Sequence, residues 1–297
     1  MADPVASRVP QPRFTEHRLD RGAGAIYVRE YAGDGPAFVV LHGFPDNLHI
    51  YDDLVPLLHA CGRKVVSFDF LGYGESDKPG PEHYSFVQQL GDLETVVDEL
   101  GLTKVIPVAH DSAGPTAINF ALDHPDRTAG LVVLNSVYST SKELDHPEFI
   151  ELFARPELRL LTQAILQKPE IFGFIMSTQR AVFQQILKDE HRAYYESFLG
   201  PVIDQNFRQQ PSALPAFGEM VGELLAEEQR NLARIPELAT LGVPVRIIWG
   251  DRDPYLRTSY AQFLAGKFSN AELHVIDAGH WVQLDEAPAV AGVMLDI

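Results

Sequence analysis

Val108-Ala109-His110-Asp111-Ser112-Ala113-Gly114 joins a short apolar run, Val105 to Ala109, to a helix of small residues, Ala113 to Leu122. A turn this sharp between a strand and a helix requires small residues two before and two after the residue at its apex, whose side chain it pushes into a cleft. Ala109 and Ala113 meet that requirement around Asp111. Placing Ser112 at the apex would need small residues at His110 and Gly114, and His110 is not small. An aspartate here could also simply cap the helix that follows. The neighbouring segments decide between these readings.

On either side of this junction, short apolar runs alternate with helical patterns. Ala25 to Tyr31 alternates as a strand, whereas Ala37 to Leu41 and Lys64 to Phe70 are nearly continuous runs that fit strands covered on both faces. Phe86, Val87, Leu90, Leu93, Val96, Val97 and Leu100 share a helical spacing, and Leu131 to Leu134 is a further strand. This order predicts an α/β fold with a mostly parallel sheet flanked by helices. From about Tyr138 to Leu225 only helical patterns occur (Phe149 to Leu166, Ile171 to Leu187, Phe217 to Leu225). Val243 to Trp249 and Glu272 to Ile276 then resume the sheet. The expected division is a core of residues 1–137 and 226–297 with a helical cap, 138–225, inserted over the strand ends where ligands bind in such sheets.

Two further segments carry chemistry. Leu41-His42-Gly43-Phe44-Pro45 follows a buried strand, where a turn of this kind can offer the Phe44 amide to an oxyanion; the Ser112 amide would be the second donor. Ala278-Gly279-His280-Trp281 follows the last strand, so His280 can reach the cleft as a general base. Trp249-Gly250-Asp251-Arg252-Asp253-Pro254 offers two carboxylates, Asp251 and Asp253, to orient that histidine.

The order of nucleophile, acid and histidine, with His42-Gly43-Phe44-Pro45 upstream, resembles the α/β-hydrolase superfamily. The aspartate, together with Phe68-Asp69-Phe70-Leu71-Gly72-Tyr73-Gly74-Glu75-Ser76-Asp77-Lys78-Pro79, resembles its branch of epoxide hydrolases and haloalkane dehalogenases. The likeness runs from about Arg21 through the chain, the cap excepted. It implies Asp111 as nucleophile, His280 as base and, through the spacing Gly-x-x-Asp, Asp253 as the acid, with Asp251 in reserve. A carboxylate attacks without prior loss of a proton, and His280 then activates water against the resulting ester. No cofactor and no metal are implied.

Within the branch, haloalkane dehalogenases hold the halide with a Trp after the nucleophile and a donor, often Asn, at the position of Phe44; here Ser112 and Phe44 stand there. Fluoroacetate dehalogenases use arginines shortly after the aspartate, and none lies between Ser112 and Leu122. Epoxide hydrolases protonate the leaving oxygen with cap tyrosines. The candidates are Tyr138, Tyr194 and Tyr195, with Phe217 falling near one usual tyrosine position. Epoxide hydrolysis to a diol is therefore the expectation. A haloalkane dehalogenase with an atypical halide site and a non-catalytic small-ligand binder are the alternatives.

Composition restricts partners. Twenty-four basic against 41 acidic residues give a net charge of −17, which repels nucleic acid and anionic lipid and mildly disfavours anionic substrates. The expected partners are a small apolar or weakly polar organic substrate and water. One cysteine, Cys61, precludes an intramolecular disulfide and reads as a packing residue. Met1 to Thr15 lacks an apolar signal core and no run approaches the ~20 apolar residues that span a bilayer, so the chain reads as cytoplasmic.

Overall fold

The computed structural model describes residues 10–187 and 189–297. Eight strands form one sheet: β1 (Thr15–Asp20), β2 (Ala25–Tyr31), β3 (Asp34–Leu41), β4 (Arg63–Phe68), β5 (Val105–Asp111), β6 (Leu131–Ser136), β7 (Val245–Gly250) and β8 (Ala271–Ile276). Their order across the sheet is β1-β2-β4-β3-β5-β6-β7-β8. β2 runs antiparallel to both β1 and β4, and every pair from β4 through β8 is parallel. The continuous apolar runs follow from burial on both faces. In β3, Val39 and Leu41 pack into one core and Phe38 and Val40 into the other.

The topology places the site. From β3 the chain passes through the helix Val55–Ala60 to β4 on one side, and from β5 through the helix Gly114–Asp123 to β6 on the other. Connections that leave neighbouring strands in opposite directions open a crevice beyond their carboxyl ends. Gly43 and Phe44 follow β3 there, and Asp111 ends β5.

The helix Phe86–Glu99 begins where expected, with the Ser85 hydroxyl accepting from the Gln88 amide. Val87, counted on its apolar face, is exposed. Between β6 and β7 the described residues contain helices and no strand. The helix expected over Phe149 to Leu166 is two, Glu148–Ala154 and Arg159–Leu166. Pro156 lacks an N–H and holds Arg155 extended (φ −79°, ψ 118°), which ends the first helix. Then come Pro169–Ile186, Asp189–Tyr194, a wider π turn Tyr195–Leu199, Gly200–Arg208, and Leu214–Leu232, which continues through residue 225. Cys61 closes the helix Val55–Ala60 but is exposed, so it is not a packing residue. No helix among the described residues is long and apolar enough to cross a membrane.

Candidate active site

Asp111 has φ +53°, a left-handed conformation rare for a residue with a side chain. Such a backbone costs on the order of 1–3 kcal/mol and persists only where surrounding contacts impose it. Here the Ser136 hydroxyl and the Val137 amide (3.1 Å) both donate to the Asp111 carbonyl. Ala109 and Ala113 are fully buried beside the turn. A Cβ on Gly43 would collide with the Asp111 carboxylate and the Ser112 amide, and one on Gly114 with the Val137 carbonyl. Small residues thus let three loops close around one carboxylate, which remains 21% exposed within a pocket.

His280 stands opposite. Its Nε2 is 3.7 Å from Asp111 Oδ1, and its Nδ1 is 2.7 Å from Asp253 Oδ2. Asp253 is held by the Asn135 side-chain amide at Oδ2 (3.0 Å) and by the Tyr255 and Leu256 amides at Oδ1 (3.0 and 3.1 Å). Asp251, the reserve acid, is exposed. A Cβ on Gly250 would strike the carbonyls of Ala278 and Gly279, so glycine there lets the acid and histidine loops meet. The His280 carbonyl accepts from His110 Nε2 (3.0 Å), the other nitrogen being Nδ1; burial pushes His110 well below the usual histidine range, so its ring is neutral.

Burial disfavours the His280 imidazolium, but the touching Asp253 carboxylate outweighs it, with Asp111 and Asp46 adding to the effect, and His280 is raised to about 9. Burial raises Asp111 above the ordinary carboxylate range, while His280 and the Ser112 amide pull it back. Asp46, absent from the expected site, also lines the pocket. Burial raises it to about 7 against the Trp281 indole N–H, which donates to its Oδ2 at 2.9 Å.

The expected oxyanion donors are differently engaged. The Ser112 amide faces the Asp111 carboxylate, whereas the Phe44 amide donates to the Ser112 hydroxyl (3.0 Å). A buried N–H requires an acceptor, and the hydroxyl supplies one in the resting chain. His42 is satisfied by backbone at both ring nitrogens, through the Gly43 carbonyl (2.7 Å) and the Phe70 amide (3.2 Å).

Of the three tyrosines, only Tyr195 lines the pocket, where it packs on Trp281. Tyr138 turns away, donating to Asn119 Oδ1 (3.0 Å). Tyr194 stacks on Phe198 outside the pocket; successive helical residues point in different directions, so only one of this pair can face inward. Phe217 is fully buried in an aromatic cluster and does not reach the pocket. The pocket is partly open to solvent and has mostly apolar walls that include Phe149, Ile150, Met176, Phe183 and Leu224. His146 lines it as well, and no local pattern in the sequence marks that residue. Among the described residues, no group of three or more His, Cys, Asp or Glu is arranged to hold a metal ion.

A sequence model of the α/β-hydrolase fold family matches residues 36–287. A fluoroacetate dehalogenase from a Burkholderia species is 42% identical over 119 residues, 38% of this chain and 39% of that protein. A haloalkane dehalogenase from Psychrobacter cryohalolentis is 24% identical over 97% of this chain and 94% of its own length. Bifunctional epoxide hydrolase 2 from Sus scrofa is 24% identical over 89% of this chain, and the match spans 51% of that protein.

Proposed function

Because the chain belongs to the α/β-hydrolase family, we propose that it hydrolyses a small epoxide to a diol through a covalent ester on Asp111. The observation that carries this reading is a carboxylate, not a hydroxyl, at the apex of the strained turn and facing His280 Nε2. Asp111 attacks an epoxide carbon from the side opposite the ring oxygen, and the C–O bond opens. His280 then takes a proton from water as that water adds to the ester carbonyl. The Ser112 amide, already at the carboxylate, stabilises the oxyanion, joined by the Phe44 amide once the Ser112 hydroxyl yields it. Asp253 orients His280 and supports the imidazolium.

Residues 138–225 act as the cap over a core of 1–137 and 226–297, supplying apolar walls and Tyr195 as a hydrogen-bond donor to the leaving oxygen. The mostly apolar lining suits a small apolar or weakly polar substrate. Halide release is the second reading, favoured by relatives named as dehalogenases. Against it, Phe44 has no polar hydrogen on its side chain, and the indole N–H of Trp281 is committed to Asp46. No arginine follows Asp111 before Leu122 to hold a carboxylate such as fluoroacetate's.

The test is the intact mass of His280→Gln after exposure to panels of epoxides and haloalkanes. Without its base the second step stalls, and an adduct accumulates. An epoxide adds its whole mass, because ring opening expels nothing; a haloalkane adds its mass minus HX. Adducts from the epoxides are expected. Adducts from haloalkanes alone would transfer the chain to the second reading, and an adduct mapped to Ser112 would overturn the aspartate assignment.

A further inference from the structure

His146 lies on the loop between β6 and the helix Glu148–Ala154, with its side chain 8% exposed. Its Nε2 is 3.0 Å from Oε1 of Glu228, which projects from the helix Leu214–Leu232 and is 1% exposed. The contacts of His146 with Glu228 run through Nε2, and His146 lines the same pocket as Asp111. A buried carboxylate held against a buried imidazole, in a pocket that also holds the Asp111 carboxylate, is a costly arrangement for structure alone. It suits a proton donor.

We propose that the His146–Glu228 pair is the acid of the ring-opening step, with Nδ1 delivering a proton to the epoxide oxygen as Asp111 attacks carbon. This rests on the ester reading above and deepens it. One Asp111 oxygen bonds to carbon, the C–O bond of the ring breaks, and its electron pair takes the proton from Nδ1. The products are an alcohol, an ester and a neutral His146. In the second step water is consumed and His280 gains one proton, which solvent returns to His146, so the cycle adds one water to one epoxide.

The groups around His146 favour its charged form. Burial opposes the imidazolium, but the Glu228 contact outweighs it, Glu151 and Asp111 add to it, and the pKa is raised. Glu151 is itself paired with Arg155 at 2.7 Å. Tyr195 is the poorer proton source, since burial raises its hydroxyl above the ordinary tyrosine range. An imidazolium is the stronger acid, and its proton transfer is better matched to neutral pH.

The experiment follows adduct formation by rapid quench in His280→Gln, where the His280 titration is gone, with styrene oxide as probe. The rate should fall as pH rises through the raised His146 pKa. His146→Gln in that background should slow adduct formation by about 10²-fold or more and abolish this alkaline fall. Glu228→Gln keeps an acceptor but removes the charge, so it should move the fall to lower pH. A limb arising from Asp46 would not respond to that change. An unaltered rate in the His146→Gln double variant, or an alkaline limb that stays in place in Glu228→Gln, overturns the proposal. If His146→Gln does not fold, the Glu228→Gln profile decides alone. Absence of any adduct in His280→Gln itself would instead remove the ester reading, and this proposal with it.

Discussion

With a pKa near 9, His280 is an imidazolium at neutral pH and cannot take a proton from water. Asp111 is one of the carboxylates that hold it there, and the proposed ester would remove that negative charge. In the proposed mechanism His280 therefore loses part of its support once Asp111 is alkylated, and becomes a base at the step that needs one. Asp253 has the larger share, through direct contact at 2.7 Å. Asp253→Ala should lower the His280 pKa, read by NMR titration. It should also slow ester hydrolysis by about 10²-fold or more while alkylation changes far less. If Asp251→Ala has the greater effect on that step, the acid has been misassigned. Asp111, Asp253 and His280 could be read from sequence because each lies at or just beyond the end of a recognisable strand. Asn135, Asp46 and His146 could not. Asn135 bonds a side chain 118 positions away, and His146 pairs with Glu228, 82 positions on. Such pairings exist only after the helices have packed.

The helices between β6 and β7 are joined to the site through aromatic rings. Phe217 touches Phe149, Phe153, Phe172 and Phe207, from three other helices, at centroid distances of 5.2 to 5.9 Å. It also meets Phe44 of the β3 turn edge-on at 6.1 Å. Phe217→Ala should cost about 3–5 kcal/mol in denaturant unfolding and reduce turnover, because the cavity left behind loosens the loop that carries the Phe44 amide. A loss under 1 kcal/mol would show that the cluster does not hold these helices to the core. Phe217, which falls near a position that holds a tyrosine in epoxide hydrolases, is instead a fully buried packing residue that does not line the pocket. Element prediction worked where the apolar signal was strong, as a continuous run in β3 and β5 or as helical spacing in Phe86–Glu99. It missed β1, whose residues Thr-Glu-His-Arg-Leu-Asp carry no apolar alternation because an edge strand pairs on one side only and stays largely exposed. The break at Pro156 was within reach of the proline rule; a helical spacing of apolar residues on either side concealed it.

Across the whole molecule, the reversal of strand order at β3 and β5 explains why residues 44, 111, 253 and 280 meet. Sequence order alone predicts such a crevice, since alternating strands and helices leave few other arrangements. The surface is strongly acidic, with a net charge of −17, and the pocket within it is mostly apolar. That combination favours a neutral molecule over an anion. The family relationship is compatible with several nucleophiles and leaving groups, and the proposed function turns on whether the oxygen delivered to substrate comes from the Asp111 carboxylate. A single turnover in H₂¹⁸O, with wild-type enzyme in excess over a substrate it consumes, tests this directly. Water adds to the ester carbonyl and the carbonyl–oxygen bond breaks, so the first product should carry unlabelled oxygen and ¹⁸O should appear in the peptide containing Asp111. Product labelled in the first turnover, with that peptide unlabelled, would mean that water attacks the substrate itself.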